Sequence, residues 1–348
     1  MKRLQTMFIE ARNSLDGVSS EEAKYLNRFA YISNVGASTR IENAVLTDNE
    51  IEWVDTALTR DSRTTAFEEK KEYILAKLSR DKERSVEEIA GCREVLMTVY
   101  TQSNALFPLS ETIIRGLHHD LLKFYPKAGD HAGGYKKTPN RVVYRNHETG
   151  EERTVLEPAP AGVVTETAMS DLVAWYNRNI HEHPWPLLTA TELVFRFLAI
   201  HPFKDGNGRL GRALFILSLL HAEDRHLSEI TPYLAIDRHI EQNKSAYYLV
   251  LNQCAGGRFS MDPGDYRMEP LAWFFSRLFP PCIQDIRFYR RRYNALKALS
   301  VSAHAVLNCF RTRPELRLQV GDIVKSVSSP RRTVQYALKT LTEKGFLQ

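Results

Sequence analysis

The sequence predicts a mainly α-helical protein that carries one small β-hairpin and ends in a separate helical segment. Apolar residues recur at helical spacing over most of the chain, which favours helices. Residues 133–145 combine two glycines with β-forming residues around Pro139-Asn140, a pattern typical of a hairpin. The pair Pro280-Pro281 indicates a break before the last segment. We therefore expect three parts, comprising residues 1–100, 101–280 and 281–348.

The first part is predicted to be helical because charged and apolar positions interleave along it. It contains the stretch Ser38-Thr39-Arg40-Ile41-Glu42-Asn43. The spacing from Thr39 to Glu42 is that of a capping box, so one interpretation is simply a helix start. A second interpretation gives Glu42 a regulatory role and depends on the resemblance described below.

In the second part, two apolar runs enclose a short polar turn. Thr189 and Glu192 form a capping box, which predicts that the first of two helices begins at Thr189. Pro202 disfavours helical geometry at His201, so this helix should end there. Leucines then recur at helical spacing, so a second helix should begin near Arg209.

The turn between these helices, residues 201–212, has the features of an anion site. Gly206 and Gly208 allow the backbone to turn sharply and to approach a ligand closely. The start of the second helix presents unpaired N–H groups and the positive end of a dipole. Arg209 and Arg212 add two cations where each would cost about 0.3–1 kcal/mol if uncompensated. This pattern predicts a multiply charged anion, such as a triphosphate.

The same turn supplies a candidate base and a candidate metal ligand. His201 can exchange a proton near neutral pH. Asp205 can bind Mg²⁺, which usually takes one carboxylate together with substrate phosphates. The alternative is an ordinary turn between helices whose arginines meet surface carboxylates. The concentration of all these groups in twelve residues favours the anion site.

The turn resembles the signature of Fic-domain proteins, which is His, any residue, Phe, any residue, Asp or Glu, Gly-Asn-Gly-Arg, two of any residue, and Arg. Every fixed position is met, and weaker similarity covers residues 106–279. The resemblance implies a Fic fold over residues 101–280, with a helical core and a hairpin flap that holds a target segment as an added strand. An ordinary surface hairpin remains the alternative for the flap.

Most Fic proteins transfer AMP from ATP to a hydroxyl group of a target protein. The resemblance therefore implies His201 as general base and Asp205 as Mg²⁺ ligand. It implies a nucleotide-binding cradle for the phosphates from Gly206 to Gly208, with Asn207 fixing the loop and Arg209 and Arg212 on the phosphates. Doc-type kinases of the same superfamily carry Lys in place of Gly208, which argues against phosphate transfer. Transfer of another nucleotide, such as UMP, stays open because the base pocket is poorly specified.

Two further residues take their roles from the resemblance. Glu42 fits the inhibitory motif of Fic proteins, which is Ser or Thr, three of any residue, Glu, then Gly or Asn. In relatives with this motif, the Glu pairs with the last Arg of the signature, here Arg212, in place of the γ-phosphate. Some such relatives also remove AMP, so de-AMPylation stays open. Tyr248 is the candidate for the adenine pocket, with core packing as the alternative.

The last part, residues 281–348, resembles the helix-turn-helix of winged-helix domains. Ser329 is the expected N-cap of its second helix, and Pro330 the expected first helical position. Arg331 and Arg332 should face outward, where such a helix can enter a DNA major groove. A docking or dimerisation module is the other interpretation. The second functional hypothesis is therefore a DNA-binding regulator that uses the Fic fold as a nucleotide sensor.

Composition limits the expected partners and cellular location of the protein. The 348 residues carry a net charge of +5, which permits contact with nucleic acid without requiring it. Four widely spaced cysteines form no CxxC pair, and no apolar run is long enough to cross a membrane. We expect a cytoplasmic protein whose substrate is ATP and whose cofactor is Mg²⁺. Its expected partner is a protein with a Tyr, Ser or Thr hydroxyl, including this chain itself. Binding to DNA and homo-oligomer formation stay open.

Overall fold

The computed structural model describes residues 2–59, 67–145, 150, 152–182, 184–311 and 317–347. Within these residues the chain is mainly helical with one two-stranded antiparallel sheet, as the sequence predicts. The first part contains α1 (Lys2–Asn13), α2 (Ser20–Ile41), α3 (Asp48–Thr59), α4 (Phe67–Leu78) and α5 (Glu83–Gln102).

The middle of the chain continues with α6 (Glu111–Leu122), strands β1 (Val142–Arg145) and β2 (Glu152–Leu156), α7 (Val163–Glu182), α8 (Pro186–Ile200) and α9 (Asn207–Leu220). It is followed by α10 (Arg225–Ile230), α11 (Ile236–Gln242), α12 (Lys244–Ala255) and α13 (Glu269–Lys297). The C-terminal helices are α14 (Val301–Arg311), α15 (Val320–Val327) and α16 (Arg331–Glu343). Short 3₁₀ turns lie at Arg80–Lys82, Ser103–Leu106, Pro126–Ala128, Thr231–Tyr233 and Pro263–Asp265.

Helices α8 and α9 form the centre of the main hydrophobic core. Phe195 and Phe197 of α8 and Leu214 of α9 are fully buried. Phe215 of α9 stacks on Phe275 of α13 with ring centroids 4.1 Å apart. Because both helices are fixed by this packing, the turn that joins them is held at a defined place.

Helices α5 and α6 touch through their backbones at Gly91. A Cβ atom at this position would lie closer than 3.0 Å to the carbonyl oxygen of Leu121, a separation that side chains do not tolerate. The glycine therefore sets how closely α6 approaches the core. This approach matters because α6 carries His118 to the turn between α8 and α9.

The hairpin differs from the prediction. Val142–Arg145 is its first strand, paired with Glu152–Leu156, so the expected turn at Pro139-Asn140 is wrong. Asn140 instead donates hydrogen bonds from its side-chain amide to the carbonyl oxygens of His201 and Phe203, at 3.3 and 2.9 Å. These bonds hold the segment against the core as a loop and move the hairpin further along the chain.

Both predicted capping boxes are wrong. Helix α8 begins at Pro186, because proline suits the first helical position, and Thr189 lies buried within the first turns. Thr39 lies in the last turn of α2, where its hydroxyl donates to the carbonyl oxygen of Val35 at 3.0 Å. Glu42 is the C-terminal cap of that helix, so the interpretation of this stretch as a helix start fails.

The predicted break at Pro280-Pro281 is also wrong, since α13 continues through both prolines. Phe279, Cys282 and Ile283 on either side are buried in the main core. This packing offsets the hydrogen bonds that two prolines remove from a helix. The division of the chain into three parts stays a prediction.

The C-terminal helices have their own cluster of buried apolar residues, including Val306, Val334 and Leu341. Helices α15 and α16 pack against each other across a short connection, and no strand occurs in the described part of this segment. Pro330, rather than Ser329, is the N-cap of α16, so that detail of the prediction is wrong. Throughout the described chain, no helix has both the length and the apolar character needed to cross a membrane.

Candidate active site

The turn between α8 and α9 is built on two left-handed residues. His201 ends α8 with φ 49° and ψ 58°, and its backbone N–H donates to the carbonyl oxygen of Phe197. Gly206 precedes α9 with φ 80°, a value that glycine adopts without strain. Helix α8 ends where Pro202 predicts, and α9 begins at Asn207, two residues before the predicted Arg209. Together they direct the start of α9 and the side chain of His201 into one cavity.

Asn207 fixes the turn from within. Its side-chain oxygen accepts a hydrogen bond from the backbone N–H of Phe203 at 2.9 Å, and its amide donates to the carbonyl oxygen of Phe203 at 2.8 Å. Asn207 is 1% exposed, so both bonds form away from water. An aspartate would lack the donor, and a longer side chain would not fit the same pair of bonds.

A second support for the turn is His118, to which the sequence analysis gave no role here. Its ring stacks on Phe203 with centroids 3.7 Å apart. Its Nδ1 accepts from the backbone N–H of Gly133 at 2.9 Å, so the proton lies on Nε2, which donates to the carbonyl oxygen of Asp205 at 2.9 Å. Burial lowers the pKa of His118 to about 4, so the ring is neutral and structural.

His201 has the protonation state of a base. Its Nδ1 lies 3.3 Å from the carbonyl oxygen of Leu198, which can only accept, so Nδ1 carries the proton. The lone pair is then on Nε2. Burial, together with the nearby Lys136 cation, lowers the pKa of His201 to about 4. The imidazole is therefore neutral near pH 7.

Lys136 and Asn140 hold the backbone on the far side of His201, and the sequence analysis missed both. Lys136 is 4% exposed. Its Nζ donates to the carbonyl oxygen of Ile200 and to the side-chain oxygen of Asn140, both at 2.9 Å. Its backbone N–H donates to the carbonyl oxygen of Pro202 at 2.7 Å. No local pattern marks these residues, because they lie about sixty positions before the turn that they contact.

Asp205 lies at the edge of the cavity. One carboxylate oxygen accepts from the backbone N–H of Gly206 at 2.6 Å and from Arg209 at 3.3 Å. Burial acts to raise the pKa of Asp205, but Arg209 and the Gly206 N–H outweigh it, and the net effect is a lowered pKa. The carboxylate is therefore ionised at neutral pH. Its other oxygen has Arg84 as its nearest cation, 4.0 Å away.

Asp205 fits Mg²⁺ only if the phosphates of a bound nucleotide supply further oxygen ligands. In the described residues, no group of three or more His, Cys, Asp or Glu side chains could hold a metal ion. The Asp205 carboxylate, with its side chain 41% exposed, is a hard oxygen ligand. Such a donor suits Mg²⁺ bound jointly with phosphate oxygens. It does not suit a structural zinc site, which needs four protein ligands.

Arg212 and Glu42 form an ion pair at the start of α9. The Nη2 of Arg212 donates to Glu42 at 3.0 Å and to the backbone oxygen of Ser38 at 2.8 Å. Its Nε donates to the hydroxyl of Ser38 at 3.0 Å. The arginine side chain is 2% exposed and that of Glu42 is 31% exposed. The carboxylate thus reaches a buried cation from the cavity side.

The Glu42 carboxylate also fills the space above Gly208. A Cβ atom on Gly208 would lie closer than 3.0 Å to Oε1 of Glu42. The absence of a side chain at Gly208 therefore leaves a cradle over the start of α9, and an anionic group occupies it. An anion at a helix N-terminus is favoured by the dipole and by the free N–H groups.

Arg209 takes a different place from Arg212. It is buried behind the turn, with Asp205 at 3.3 Å and Glu88 at 3.8 Å as its charged neighbours. Within the described chain, its Nε and Nη1 have no hydrogen-bond partner. Arg209 is not among the described residues that line the cavity.

The cavity has a volume of about 240 Å³. This is below the roughly 300–1,000 Å³ of typical small-molecule sites, as expected when a side chain fills part of it. Tyr248 lines one wall, and its ring packs against Tyr144 of the hairpin with centroids 5.3 Å apart. Val142 and Val143 of β1 line the opening beside it. One cavity therefore brings together all the predicted site residues except Arg209.

Comparison with known proteins agrees with this geometry. Residues 108–219 match the model of the Fic/DOC family. The matched residues run from just before α6 almost to the end of α9, so they include the hairpin and the whole turn.

Solved structures of Fic-domain proteins share the fold. A Fic domain-containing signaling protein from Bacteroides thetaiotaomicron is 22% identical, with a TM-score of 0.58 over 82% of this chain and 96% of that chain. A Fic family protein from Desulfovibrio desulfuricans is 19% identical, with a TM-score of 0.57 over 97% and 89% of the two chains. Fic-1 from C. elegans is 17% identical, with a TM-score of 0.56 over 86% and 73%. The chain therefore has the fold of Fic-domain proteins.

Proposed function

We propose that this chain is a protein adenylyltransferase, which transfers AMP from ATP to a protein hydroxyl and is inhibited by its own Glu42. The observation that carries the proposal is the Glu42 carboxylate, which lies over Gly208 and is bonded to Arg212. A site that holds a carboxylate in this way has the charge and the space for a phosphate. The neutral imidazole of His201 opens onto the same cavity.

The phosphates of ATP bind at the start of α9. Gly208 has no side chain to cover the first turn of α9, so the N–H groups there can reach phosphate oxygens, and Arg212 contacts the terminal phosphate after Glu42 leaves. Arg209 lies behind the turn, where its Nε and Nη1 make no hydrogen bond to the described residues; it adds positive charge and orients Asp205. When bound, Mg²⁺ neutralises phosphate charge, with Asp205 as its protein ligand.

His201 acts on the acceptor. Its Nε2 takes the proton of the target hydroxyl as the hydroxyl oxygen forms a bond to the α-phosphorus. The bond from that phosphorus to the oxygen of the β-phosphate breaks, and pyrophosphate leaves with the electron pair. General base catalysis of this kind contributes typically about 10²–10⁴-fold to the rate.

The walls of the cavity bind the adenine ring of ATP and a segment of the target protein. Tyr248 stacks with the adenine ring. Strand β1 pairs with β2 on one side only within the described residues, so its other edge can accept an extended segment of the target. Acceptors include proteins with a Tyr, Ser or Thr hydroxyl, and the chain itself.

The test compares wild-type protein with Glu42→Gly, using ATP labelled at the α-phosphate. Glu42 contributes a charge-assisted hydrogen bond of about 1.5–3 kcal/mol, and 1.4 kcal/mol is a factor of ten. We therefore expect at least about tenfold more label on the Glu42→Gly protein. Glu42→Gln, which keeps the length of the side chain, should behave in the same direction.

Two controls assign the chemistry. Glu42→Gly combined with His201→Ala should incorporate no label. ATP labelled at the γ-phosphate should leave no label on protein, since label there would mean phosphate transfer. UTP in place of ATP tests transfer of UMP, and release of AMP from labelled protein tests the reverse reaction. Equal labelling of wild type and Glu42→Gly would overturn the inhibitory role.

A second candidate function is favoured by the exposed basic face of α16. Arg331, Arg332 and Lys339 are exposed on this helix. Such a face suits the second helix of a helix-turn-helix that enters a major groove. Binding to duplex DNA should weaken steeply with salt and be lost on changing both arginines to alanine. Binding that is unaffected by this change would exclude this use of α16.

A further inference from the structure

Asp237 of α11 is a buried carboxylate for which the mechanism above gives no role. It is 1% exposed, and its Oδ2 lies 3.9 Å from the Nε of Arg212. Neither oxygen makes a hydrogen bond of ordinary geometry within the described chain. Burial raises the pKa of Asp237 to about 6, although Arg212 and the hydroxyl of Ser38 act to lower it. The group is therefore ionised at pH 8.

A buried charge with so few bonds needs a compensating interaction. Arg212 provides it, because this guanidinium is itself buried and carries a full positive charge. Its hydrogen bonds to Ser38 are made to neutral oxygens. Only two carboxylates lie within 4.0 Å of it in the described chain, and they belong to Glu42 and Asp237.

The two carboxylates differ in how firmly they are held. Glu42 caps the end of α2, and its side chain is 31% exposed to the cavity. The backbone N–H of Asp237, in contrast, donates to the side-chain oxygen of Asn34 at 3.0 Å. Arg40 joins α2 to Glu241 of the same helix α11 with bonds of 2.7 and 3.0 Å. Asp237 is therefore a fixed neighbour of Arg212, whereas Glu42 is an exchangeable one.

We propose that Asp237 is a positioning residue, the permanent counter-ion that keeps Arg212 buried and in place while Glu42 and nucleotide exchange. The inference rests on the proposed function, in which an anion replaces Glu42. It assigns a role to a residue outside the turn, contributed by a helix that begins about 25 positions further along the chain.

The same charge also sets how tightly Arg212 binds the exchanging anion. A guanidinium that is already half compensated gains less from a second carboxylate or a phosphate. By reciprocity, removing the charge of Asp237 should strengthen the hold of Arg212 on whichever anion occupies the cradle. A residue that only joins α11 to its neighbours would instead loosen the site when changed.

The first test is a double-mutant cycle on the full chain at pH 8 without nucleotide. It measures the melting temperatures of wild type, Asp237→Asn, Glu42→Gln and the double variant. We expect the double variant to lose at least about 2 °C more than the sum of the single losses, because only there is Arg212 left without a carboxylate. Glu241→Gln is the matched control. It lies on the same helix but pairs with Arg40, so its effect should add to that of Glu42→Gln.

Additive losses for Asp237→Asn and Glu42→Gln would overturn the inference. So would an Asp237→Asn protein that fails to fold while Glu42 is intact, because Glu42 should then be sufficient to compensate Arg212. Asp237→Glu keeps the charge and should restore additivity. This cycle needs no activity, so it decides the inference even if the proposed function fails.

The second test measures binding of Mg·ATP to Glu42→Gln protein by calorimetry, with and without Asp237→Asn. We expect the dissociation constant to fall about fivefold or more when Asp237 is neutral. An unchanged or higher dissociation constant would reduce Asp237 to a packing role. Absence of any Mg·ATP binding in the Glu42→Gln protein would contradict the proposed function, while the melting cycle would still stand.

Discussion

The Nζ of Lys136 lies 2.9 Å from the carbonyl oxygen of Ile200, the last residue of α8, and donates a hydrogen bond to it. A cation at the C-terminal end of a helix is favoured by the helix dipole. Burial lowers the pKa of Lys136 to about 8, so below that pH the group keeps its proton. The same cation lies next to His201 and disfavours a second positive charge there.

Lys136→Met should therefore change the pH dependence of transfer. Protonated His201 cannot accept the hydroxyl proton, so activity is lost as pH falls through its pKa of about 4. Removing the cation makes protonation easier and moves this loss to higher pH, toward the ordinary value near 6.5. Initial rates are measured between pH 4.5 and 8 in Glu42→Gly protein. Lys136→Arg keeps the charge and is the reference at each pH. An identical acidic limb in both would show that burial alone sets the pKa of His201.

Gly208→Ala should displace Glu42 from Arg212, because the new methyl group would occupy the position of its carboxylate. In wild type this removes a charge-assisted hydrogen bond of about 1.5–3 kcal/mol, partly offset by the better helix propensity of alanine. In Glu42→Gly protein the same change meets no carboxylate, and the neighbour that remains is Nη1 of Arg212 at 3.3 Å, so it should cost less than in wild type. Urea unfolding of the four proteins measures the difference. If Gly208→Ala lowered the free energy of unfolding equally in wild type and in Glu42→Gly protein, its methyl group would not be clashing with Glu42.

His118→Phe should weaken the binding of Mg²⁺ at Asp205 while preserving the core. Phenylalanine can keep the stack on Phe203 but leaves the carbonyl oxygen of Asp205 without its donor and the backbone N–H of Gly133 without its acceptor, each at a cost of about 1–3 kcal/mol. With Asp205 less firmly placed, a higher Mg²⁺ concentration should be needed for half-maximal transfer. His119→Phe is the control, since that side chain is 60% exposed. If the Mg²⁺ concentration for half-maximal transfer rose equally in both variants, His118 would have no specific role in placing Asp205.

Gly91→Ala should destabilise the fold by at least about 1–3 kcal/mol, because α5 and α6 must separate to admit a methyl group. Gly116→Ala on α6 is the matched change, since nothing lies within 4 Å of its added Cβ atom. Gly116→Ala should leave the free energy of unfolding unchanged or raise it by up to about 1 kcal/mol, because alanine has the better helix propensity. Chemical denaturation compares the two. Similar stability of both variants would contradict the close contact of α5 with α6.

The sequence was most informative where structure is local. Pro202 marks the end of α8, the leucine repeat indicates α9, and all the groups of the turn lie within twelve residues. The resemblance to Fic proteins pointed from there to Glu42, far along the chain. The structure places Glu42 against Arg212, as that resemblance implies.

The residues that escaped prediction act over long distances or oppose a local preference. His118 and Lys136 reach the turn only through tertiary packing, and Asp237 meets Arg212 in the same way. The hairpin was misplaced because the bonds of Asn140 to the turn outweigh the preference of its own neighbours for a strand. Pro280 failed as a breaker because buried side chains on both sides hold α13 together.

The attachment of α2 sets how inhibition ends in the proposed enzyme. Asn34 and Arg40 tie the helix to α11, so the carboxylate of Glu42 can leave Arg212 by rotating about its own side-chain bonds while α2 stays in place. Exposed side chains change rotamer within picoseconds to nanoseconds, and for Glu42 the breaking of its hydrogen bond to Arg212 adds to that barrier. ATP would then compete with Glu42 for Arg212 without a second protein to pull the helix away, so inhibition would be relieved in part and would weaken as the ATP concentration rises.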